Sequence, residues 1–344
     1  MRAPAAPRSV NARGALYALA SFAIYSTHDV VVKFLGGAYS PFQIVFFSTL
    51  FGFPIVAVML MRDREEANLR PRRPLWTGLR TASAMVTTTC AFYAFSVLPM
   101  AQTYAIIFAA PLLITILAIP VLGETVGWRR GLAVLAGLAG VIVVLQPGDT
   151  AFTAGHLAAL AAAVFSAFAA VIIRKIGGEE RSAVLLLYPM MANFLVMACA
   201  LPFVYRPMPA LHLGGMAMIA ALGFCGAMCL IAAYRRGRAV VVAPMQYSQI
   251  LWAALYGAVF FHETPDRNTA IGAAIIIASG LFVVLREERP NVSRNRPVLQ
   301  TMTRYVAGTY PRIGTLLRLS GTERPQDPEP TRSDGGSHTN GPGS

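Results

Sequence analysis

Ten apolar stretches, separated by short polar or charged segments, follow one another from residue 14 to residue 285. Each has about the length that an α-helix needs to cross the hydrocarbon core of a bilayer, roughly 20 residues. Lipid offers no partner to an unpaired backbone N–H or C=O group, so each stretch is predicted to be helical. These predicted spans, numbered one to ten, cover residues 14–35, 41–61, 75–97, 100–121, 128–145, 153–173, 183–205, 212–234, 239–261 and 268–285.

The apolar pattern occurs twice along the chain. The segment Tyr93–Leu145 reappears in diverged form from about Tyr234 to Leu285. Gly123-Glu124-Thr125 in the first copy corresponds to His262-Glu263-Thr264 in the second, and each triplet follows a long apolar run. A repeat of this size indicates one folding unit that is used twice. The two predicted five-helix repeats cover residues 14–146 and 153–285.

Composition decides the class of protein. Hydrophobic residues make up 56% of the chain and charged residues only 13%, whereas a soluble domain carries about 25% charged residues. The sequence therefore predicts an integral membrane protein whose surroundings are the lipid bilayer. The net charge of +13 resides in loops and tails, so we expect no nucleic-acid partner. All four cysteines lie in apolar runs without neighbouring histidines or carboxylates, and no metal site or disulfide is predicted.

Loop charge predicts the orientation of the spans. Most lysines and arginines outside the spans fall in loops on the side of the N-terminus, and such an excess marks cytoplasmic loops. We expect residues 1–13 to be cytoplasmic, together with a disordered tail over residues 286–344 that is rich in Pro, Gly, Ser and Arg. Because five is odd, the second repeat would enter the membrane upside down. Such inverted repeats build carriers with a binding site near the midplane.

Asp29 is the one carboxylate that lies well inside a predicted span. A charge at a helix centre costs roughly 2.5–3.5 kcal/mol on insertion scales, so Asp29 should face a cavity or a partner. Lys33 follows at the i+4 position, on the same helix face. The two alternatives are a structural salt bridge that lets Lys33 snorkel to the surface, and a gating pair or substrate-recognition group. Neighbouring His28 would titrate near neutral pH and could couple transport to protons.

Other small polar and aromatic residues cluster in the middle of spans. Span nine has the most polar stretch of any span. Because unpaired amides in lipid are costly, we predict that part of this stretch lines the transport pathway. There it would bind the zwitterionic group of a substrate. Aromatic side chains would pack against an apolar substrate body; the alternatives are interhelical packing and, for threonines, bonds to their own helix. Pro111 would bend span four and contribute to gating. The further candidates are Met85 and Thr89 in span three, Phe108 in span four after Tyr104, Phe165 and Ser166 in span six, and Gln246, Tyr247 and Ser248 in span nine before Gln249.

Several of these motifs resemble the drug/metabolite transporter superfamily, in particular its ten-helix EamA-type branch. The resemblance rests on Ala91-Phe92-Tyr93-Ala94, Leu98-Pro99-Met100-Ala101, Pro111, the two glutamate motifs and Lys33. It implies an all-α membrane protein with ten transmembrane helices, arranged as two inverted five-helix repeats around a central cavity, with spans five and ten at the periphery. Members export or exchange amino acids, metabolites and drugs, and YddG-type amino-acid exporters are the expected relatives.

Taken with the residues, the resemblance implies a secondary transporter of a bacterial inner membrane that exports small metabolites by alternating access. Amino acids, aromatic or neutral, are the favoured cargo. A carrier of the same fold for a nucleoside-type metabolite, a vitamin or a drug is the alternative, and a membrane sensor or enzyme is a third. Motifs for ATP binding or hydrolysis are missing from the sequence, so we expect neither an enzyme nor a cofactor. The glycines of spans five and ten predict close packing within a monomer, or else a weak homodimer.

Overall fold

The computed structural model describes residues 8–61, 70–124, 126–145, 152–177, 179–180, 182–237 and 239–287. Over these residues the chain forms twelve α-helices and one 3₁₀ turn, and no strand. Residues 1–7, residues 62–69 and most of the predicted tail, 288–344, lie outside them. The helices are α1 (Arg8–Gly36), α2 (Pro41–Met61), α3 (Pro74–Val97), α4 (Met100–Ile107), α5 (Ala110–Leu122), α6 (Trp128–Leu145), α7 (Ala154–Ile176), α8 (Ser182–Val204), α9 (Ala210–Arg236), α10 (Ala239–Val242), α11 (Ser248–Phe261) and α12 (Arg267–Glu287), and the 3₁₀ turn Ala243–Tyr247 joins α10 to α11.

The predicted multi-helix membrane protein is confirmed. Six segments of the described chain are long and apolar enough to cross a membrane, and α2 and α12 contribute shorter apolar segments. The helices coincide with the predicted spans, except that spans four and nine are each built from more than one helix. The six long segments are Ala12–Gly36, Met100–Leu122, Trp128–Leu145, Ala154–Ile176, Val184–Val204 and Ala210–Arg236.

Spans four and nine are interrupted at equivalent places. Span four breaks between α4 and α5 at Phe108 and Ala109, and Pro111 lies in the first turn of α5. Span nine breaks at the 3₁₀ turn, whose first turn holds Pro244. Proline has no N–H to donate and fits the first turn of a helix, so each proline favours a new helix start at that point. Phe108 and Tyr247 each stand sixteen residues before the motif glutamate of their repeat.

The packing of the helices follows a two-fold pseudosymmetry. In the first repeat α1 packs on α9 and on α11, and in the second its equivalent α7 packs on α3 and on α4. Other large contacts join a helix to its own equivalent: α2 to α8, α4 to α11 and α6 to α12. The contact of α2 with α9 likewise corresponds to that of α8 with α3. Exchanging the repeats therefore preserves most neighbours, although the contact of α1 with α3 has no counterpart of similar size between α7 and α9. With five spans in each repeat, the two copies run in opposite directions across the membrane.

The helix ends after the interrupted spans also correspond. Gly123 ends α5 in the left-handed conformation, with φ of 69°, and His262 ends α11 in the same conformation, with φ of 56°. Glycine adopts this conformation without steric cost, whereas other residues rarely do. His262 is the one non-glycine residue with positive φ in the described part of the chain. The backbone turn that presents each motif glutamate is thus the same in both repeats.

Spans five and ten pack through their glycines, as one of the two alternatives predicts. A Cβ atom on Gly272 of α12 would lie 2.6 Å from the Gly140 carbonyl oxygen of α6. A Cβ atom on Gly137 would lie 2.2 Å from the Ser279 hydroxyl oxygen. These glycines are needed because the backbones of α6 and α12 come too close for a side chain.

Candidate functional site

A buried polar network surrounds Asp29, which α1 holds inside the bundle. The Asp29 side chain is fully buried. The Tyr104 hydroxyl of α4 donates a hydrogen bond to Asp29 Oδ2, and His28 Nδ1 lies 2.9 Å from Asp29 Oδ1. Tyr104 in turn accepts from Ser26 Oγ and from Gln249 Nε2 of α11, each at 3.4 Å. Three helices from both repeats therefore supply the polar groups around one carboxylate.

The interruption of span nine places a helix start beside this network. Ser248 is the first residue of α11, and its Oγ is buried without a hydrogen-bond partner among the described residues. A helix N-terminus carries a partial positive charge that favours an anion, although the Ser248 N–H already donates to the Met245 and Gln246 carbonyls of the preceding 3₁₀ turn. Gln249 is the next residue and reaches Tyr104, which binds Asp29. Tyr104 thus links the Asp29 carboxylate to the first turn of α11.

Aromatic rings continue the network along span four into the centre of the bundle. The centroids of Phe95 and Tyr104 are 5.1 Å apart, and those of Tyr104 and Phe108 are 5.7 Å apart. Phe108 then meets Tyr247 edge to face, with centroids 5.6 Å apart. Because Phe108 and Tyr247 are equivalent residues of the two repeats, the pseudo-two-fold axis passes between them. The wall formed by these four rings offers apolar contact next to a charged group.

The polar network occurs in only one half of the bundle. When the glycine that ends α1 is aligned with the glycine after α7, Asp29 corresponds to Ala170. Aligning the two glutamate motifs pairs Tyr104 with Ala243. In place of a second network, Ala170 belongs to an apolar cluster with Ile114, Ala167 and Val171. The repeats share a backbone plan, but the polar chemistry is confined to one side of the axis.

Comparisons with known proteins identify the family. The profile of the EamA-like transporter family matches residues 12–146 and again residues 153–285. The chain belongs to the EamA-like transporter family. The protein is accordingly a secondary transporter of the drug/metabolite transporter superfamily and not an enzyme, and it is a multi-pass membrane protein with two EamA repeats.

Curated relatives of this transporter differ in cargo. An S-adenosylmethionine uptake transporter of Rickettsia prowazekii is 27% identical over 285 residues, which cover 82% of this chain and 96% of the relative. The pseudopaline exporter CntI of Pseudomonas aeruginosa is 25% identical over 269 residues, 77% and 93% of the two chains. A riboflavin transporter of Vibrio cholerae is 26% identical over 233 residues, 64% and 75% of the two chains. One crystal structure matches 83% of this chain and all of its own, with a TM-score of 0.53 and 19% identity, which supports the fold.

In the transporter, Lys33 forms an ion pair with Glu263 of the other repeat, and a gating or recognition role for Asp29 and Lys33 stays a prediction. Lys33 Nζ lies 2.8 Å from Glu263 Oε1 and 2.5 Å from the Leu98 carbonyl oxygen, and it stands over the Phe261 ring. The i,i+4 spacing permits the local pair, but Lys33 is in the last turn of α1, where the end of α11 brings a carboxylate closer. The Asp29 carboxylate accepts a hydrogen bond from the Tyr104 hydroxyl of α4.

The other predicted site residues fall into two groups. Phe108, with Pro111 just beyond it, and Tyr247, followed by Ser248, lie at the interruptions beside the network, and Gln246 is in the 3₁₀ turn. Met85 packs against the main core, and the hydroxyls of Thr89 and Ser166 donate to carbonyls of their own helices, at 3.0 and 2.9 Å. The Phe165 side chain is 37% exposed and lies outside the network. These assignments to the substrate site remain predictions.

Three residues of the network, Ser26, Tyr104 and Gln249, are missing from the predicted site. Tyr104 is one turn before Phe108, and Gln249 ends the polar stretch of span nine, so the sequence placed both in the right regions. Their importance comes from the contact between α4 and α11, which joins residues 145 positions apart. Within the described chain, no group of three His, Cys, Asp or Glu residues is placed to hold a metal ion.

Proposed function

We propose that this transporter exports small zwitterionic metabolites that carry an α-amino-acid group, amino acids foremost, across a bacterial inner membrane by alternating access. The observation that carries the proposal is the buried Asp29 carboxylate beside the start of α11. An α-amino-acid group has a cation and an anion a few bonds apart. The site offers a carboxylate for the first and a helix N-terminus with the Ser248 hydroxyl for the second.

The chemistry of the network suits an ammonium group. A protonated amine has three N–H donors, and Asp29 Oδ1 and Oδ2 with the Tyr104 hydroxyl oxygen are acceptors within one small volume. A hydrogen bond to a charged group contributes about 1.5–3 kcal/mol. The apolar side chain of the cargo would rest on Phe95 and Phe108. This arrangement favours neutral and aromatic amino acids over cargoes without a cation.

Uptake of S-adenosylmethionine is the second candidate. It is favoured by the relatives of that name, at 27% identity, and by the rings near Asp29. S-adenosylmethionine carries the same α-amino-acid group and adds a sulfonium cation, which aromatic faces such as Phe95 and Phe108 attract. The two candidates thus use the same headgroup site and differ in the rest of the cargo and in the direction of transport.

The proposed orientation has both termini in the cytoplasm. It rests on the excess of basic residues in the loops on the side of the N-terminus. In this arrangement residues 1–13 and 286–344 are cytoplasmic, and the repeats 14–146 and 153–285 form one monomeric carrier. A fluorescent protein that matures only in the cytoplasm should therefore be bright when fused after Ser344; a dark fusion at normal expression would reverse the orientation.

Counterflow in proteoliposomes tests the cargo. Vesicles preloaded with threonine, methionine, phenylalanine, tryptophan or S-adenosylmethionine should accumulate the matching radiolabel, with and without a pH gradient. Accumulation of the amino acids supports the first candidate, and accumulation of S-adenosylmethionine alone supports the second. Stimulation by the gradient would indicate proton coupling. If the folded protein transports none of these five compounds, the proposed binding site for an α-amino-acid group is contradicted.

A further inference from the structure

The two motif glutamates form matching ion pairs at opposite ends of the bundle. Glu263, after α11, pairs with Lys33 of α1 at 2.8 Å, and Glu124, after α5, pairs with Arg174 of α7. All four side chains are largely buried, with at most 22% exposed. In each pair, the end of the interrupted span of one repeat is tied to the first helix of the other repeat.

The two pairs are related by the pseudo-two-fold axis. Lys33 and Arg174 each stand three residues before the glycine at the end of their helix, Gly36 and Gly177. Spans one and six run in opposite directions, because five spans make up a repeat. The Lys33 pair therefore lies at one end of the bundle and the Arg174 pair at the other.

Further contacts reinforce each pair. At one end, Glu263 also accepts from the backbone N–H of Met100 at 3.0 Å, so one carboxylate joins α1, α4 and the end of α11. At the other end, Lys175 donates to the Val121 carbonyl oxygen at 3.1 Å and stands over the Trp76 ring. Ion pairs thus join the two repeats at both ends at once, and the Asp29 side chain between them is fully buried.

We propose that this conformation is an occluded state, closed at both ends, that Lys33–Glu263 and Arg174–Glu124 are its two gates, and that each must break for its own end to open. An alternating-access carrier opens one end at a time by moving one bundle against the other. At each end, the helices that must separate are the ones that the ion pair joins. Loss of one pair removes a contact made only when that end is closed, and so shifts the population toward opening at that end.

Accessibility of buried cysteines tests the gates without a substrate. In a background in which the four native cysteines are replaced by serine, Ala253→Cys reports on the Lys33 end, because Ala253 lines a small cavity with Glu263. Ala170→Cys reports on the other end, one turn before Arg174. Both alanines are fully buried. The measurement is the rate of labelling by a water-soluble maleimide on purified protein in nanodiscs.

Glu263→Gln should raise the labelling rate at Ala253→Cys about tenfold and lower it at Ala170→Cys, since a tenfold population change corresponds to about 1.4 kcal/mol. Glu124→Gln should do the reverse. The matched control is Glu179→Gln, which breaks the exposed Arg73–Glu179 pair and should change neither rate.

Two outcomes would overturn the proposal: unchanged rates, or equal increases at both probes in either variant. Equal increases would show that the pairs only stabilise the fold. If Glu263→Gln does not yield monodisperse protein, Lys33→Gln breaks the same pair and gives the same test. The inference rests on the transporter family and not on the proposed cargo, so the labelling and counterflow experiments fail independently.

Discussion

Asp29→Asn should reduce counterflow of every transported cargo at least tenfold, while the protein remains folded. Asparagine has almost the same shape as aspartate but no charge, so the hydrogen bonds to a substrate cation lose the 1.5–3 kcal/mol that a charged acceptor contributes. The measurement is initial counterflow rate against cargo concentration. The loss should appear mainly as weaker apparent affinity, because the headgroup contact forms on binding.

The melting temperature of the same variant separates a functional role from a structural one. A buried carboxylate pays a desolvation cost that a neutral amide avoids, so Asp29→Asn should melt at the same temperature as the parent or higher. A structural role predicts the opposite, since Tyr104 would lose its charged partner. Tyr104→Phe is the companion variant: it keeps the charge, removes one donor, and should weaken transport less. Full transport by Asp29→Asn would contradict the proposed headgroup site.

The helical architecture could be read from the sequence because it depends on local properties. Apolar length fixes the spans, and the diverged repeat of the glutamate motif indicates two equivalent halves. Pro111 was predicted to bend span four, and this span is interrupted beside it. Pro244 lies where span nine is interrupted. The 3₁₀ turn before α11 was not predicted, since a proline specifies a disturbance of the helix but not its form.

The polar contacts could be predicted only in part, because they depend on which distant helices meet. Asp29 stood out since a carboxylate in lipid needs a partner, and the network around it meets that need. Lys33 shows the limit of local spacing. Its observed partner Glu263 is 230 positions away, and no pattern within span one distinguishes it from Asp29, four positions away. Thr89 needs no distant partner, because its hydroxyl donates a hydrogen bond to a carbonyl oxygen of its own helix.

The ion pairs explain why the motif glutamates are useful at span ends. Each follows a helix that ends in a left-handed residue, Gly123 or His262, and this turn directs the glutamate back toward the first helix of the other repeat. Because the same turn and ion pair occur at both ends, we expect the two closed ends to be stabilised to a similar extent. A carrier that must visit both open states requires such a balance, because a large preference for one would slow the return step.

Gly272→Ala should lower the melting temperature of the transporter by several degrees, whereas Gly131→Ala should not. The new Cβ at position 272 would meet the Gly140 carbonyl oxygen at 2.6 Å and a Val144 methyl group at 2.5 Å. The first contact is with backbone, so α6 and α12 must move apart, and overpacking of this kind costs about 1–3 kcal/mol. Gly131 lies on the same helix pair with nothing within 4 Å of its added Cβ. It therefore controls for the higher helix propensity of alanine, about 1 kcal/mol in favour of the variant. Equal melting temperatures for the two variants would mean that α6 and α12 are not in close contact in the membrane.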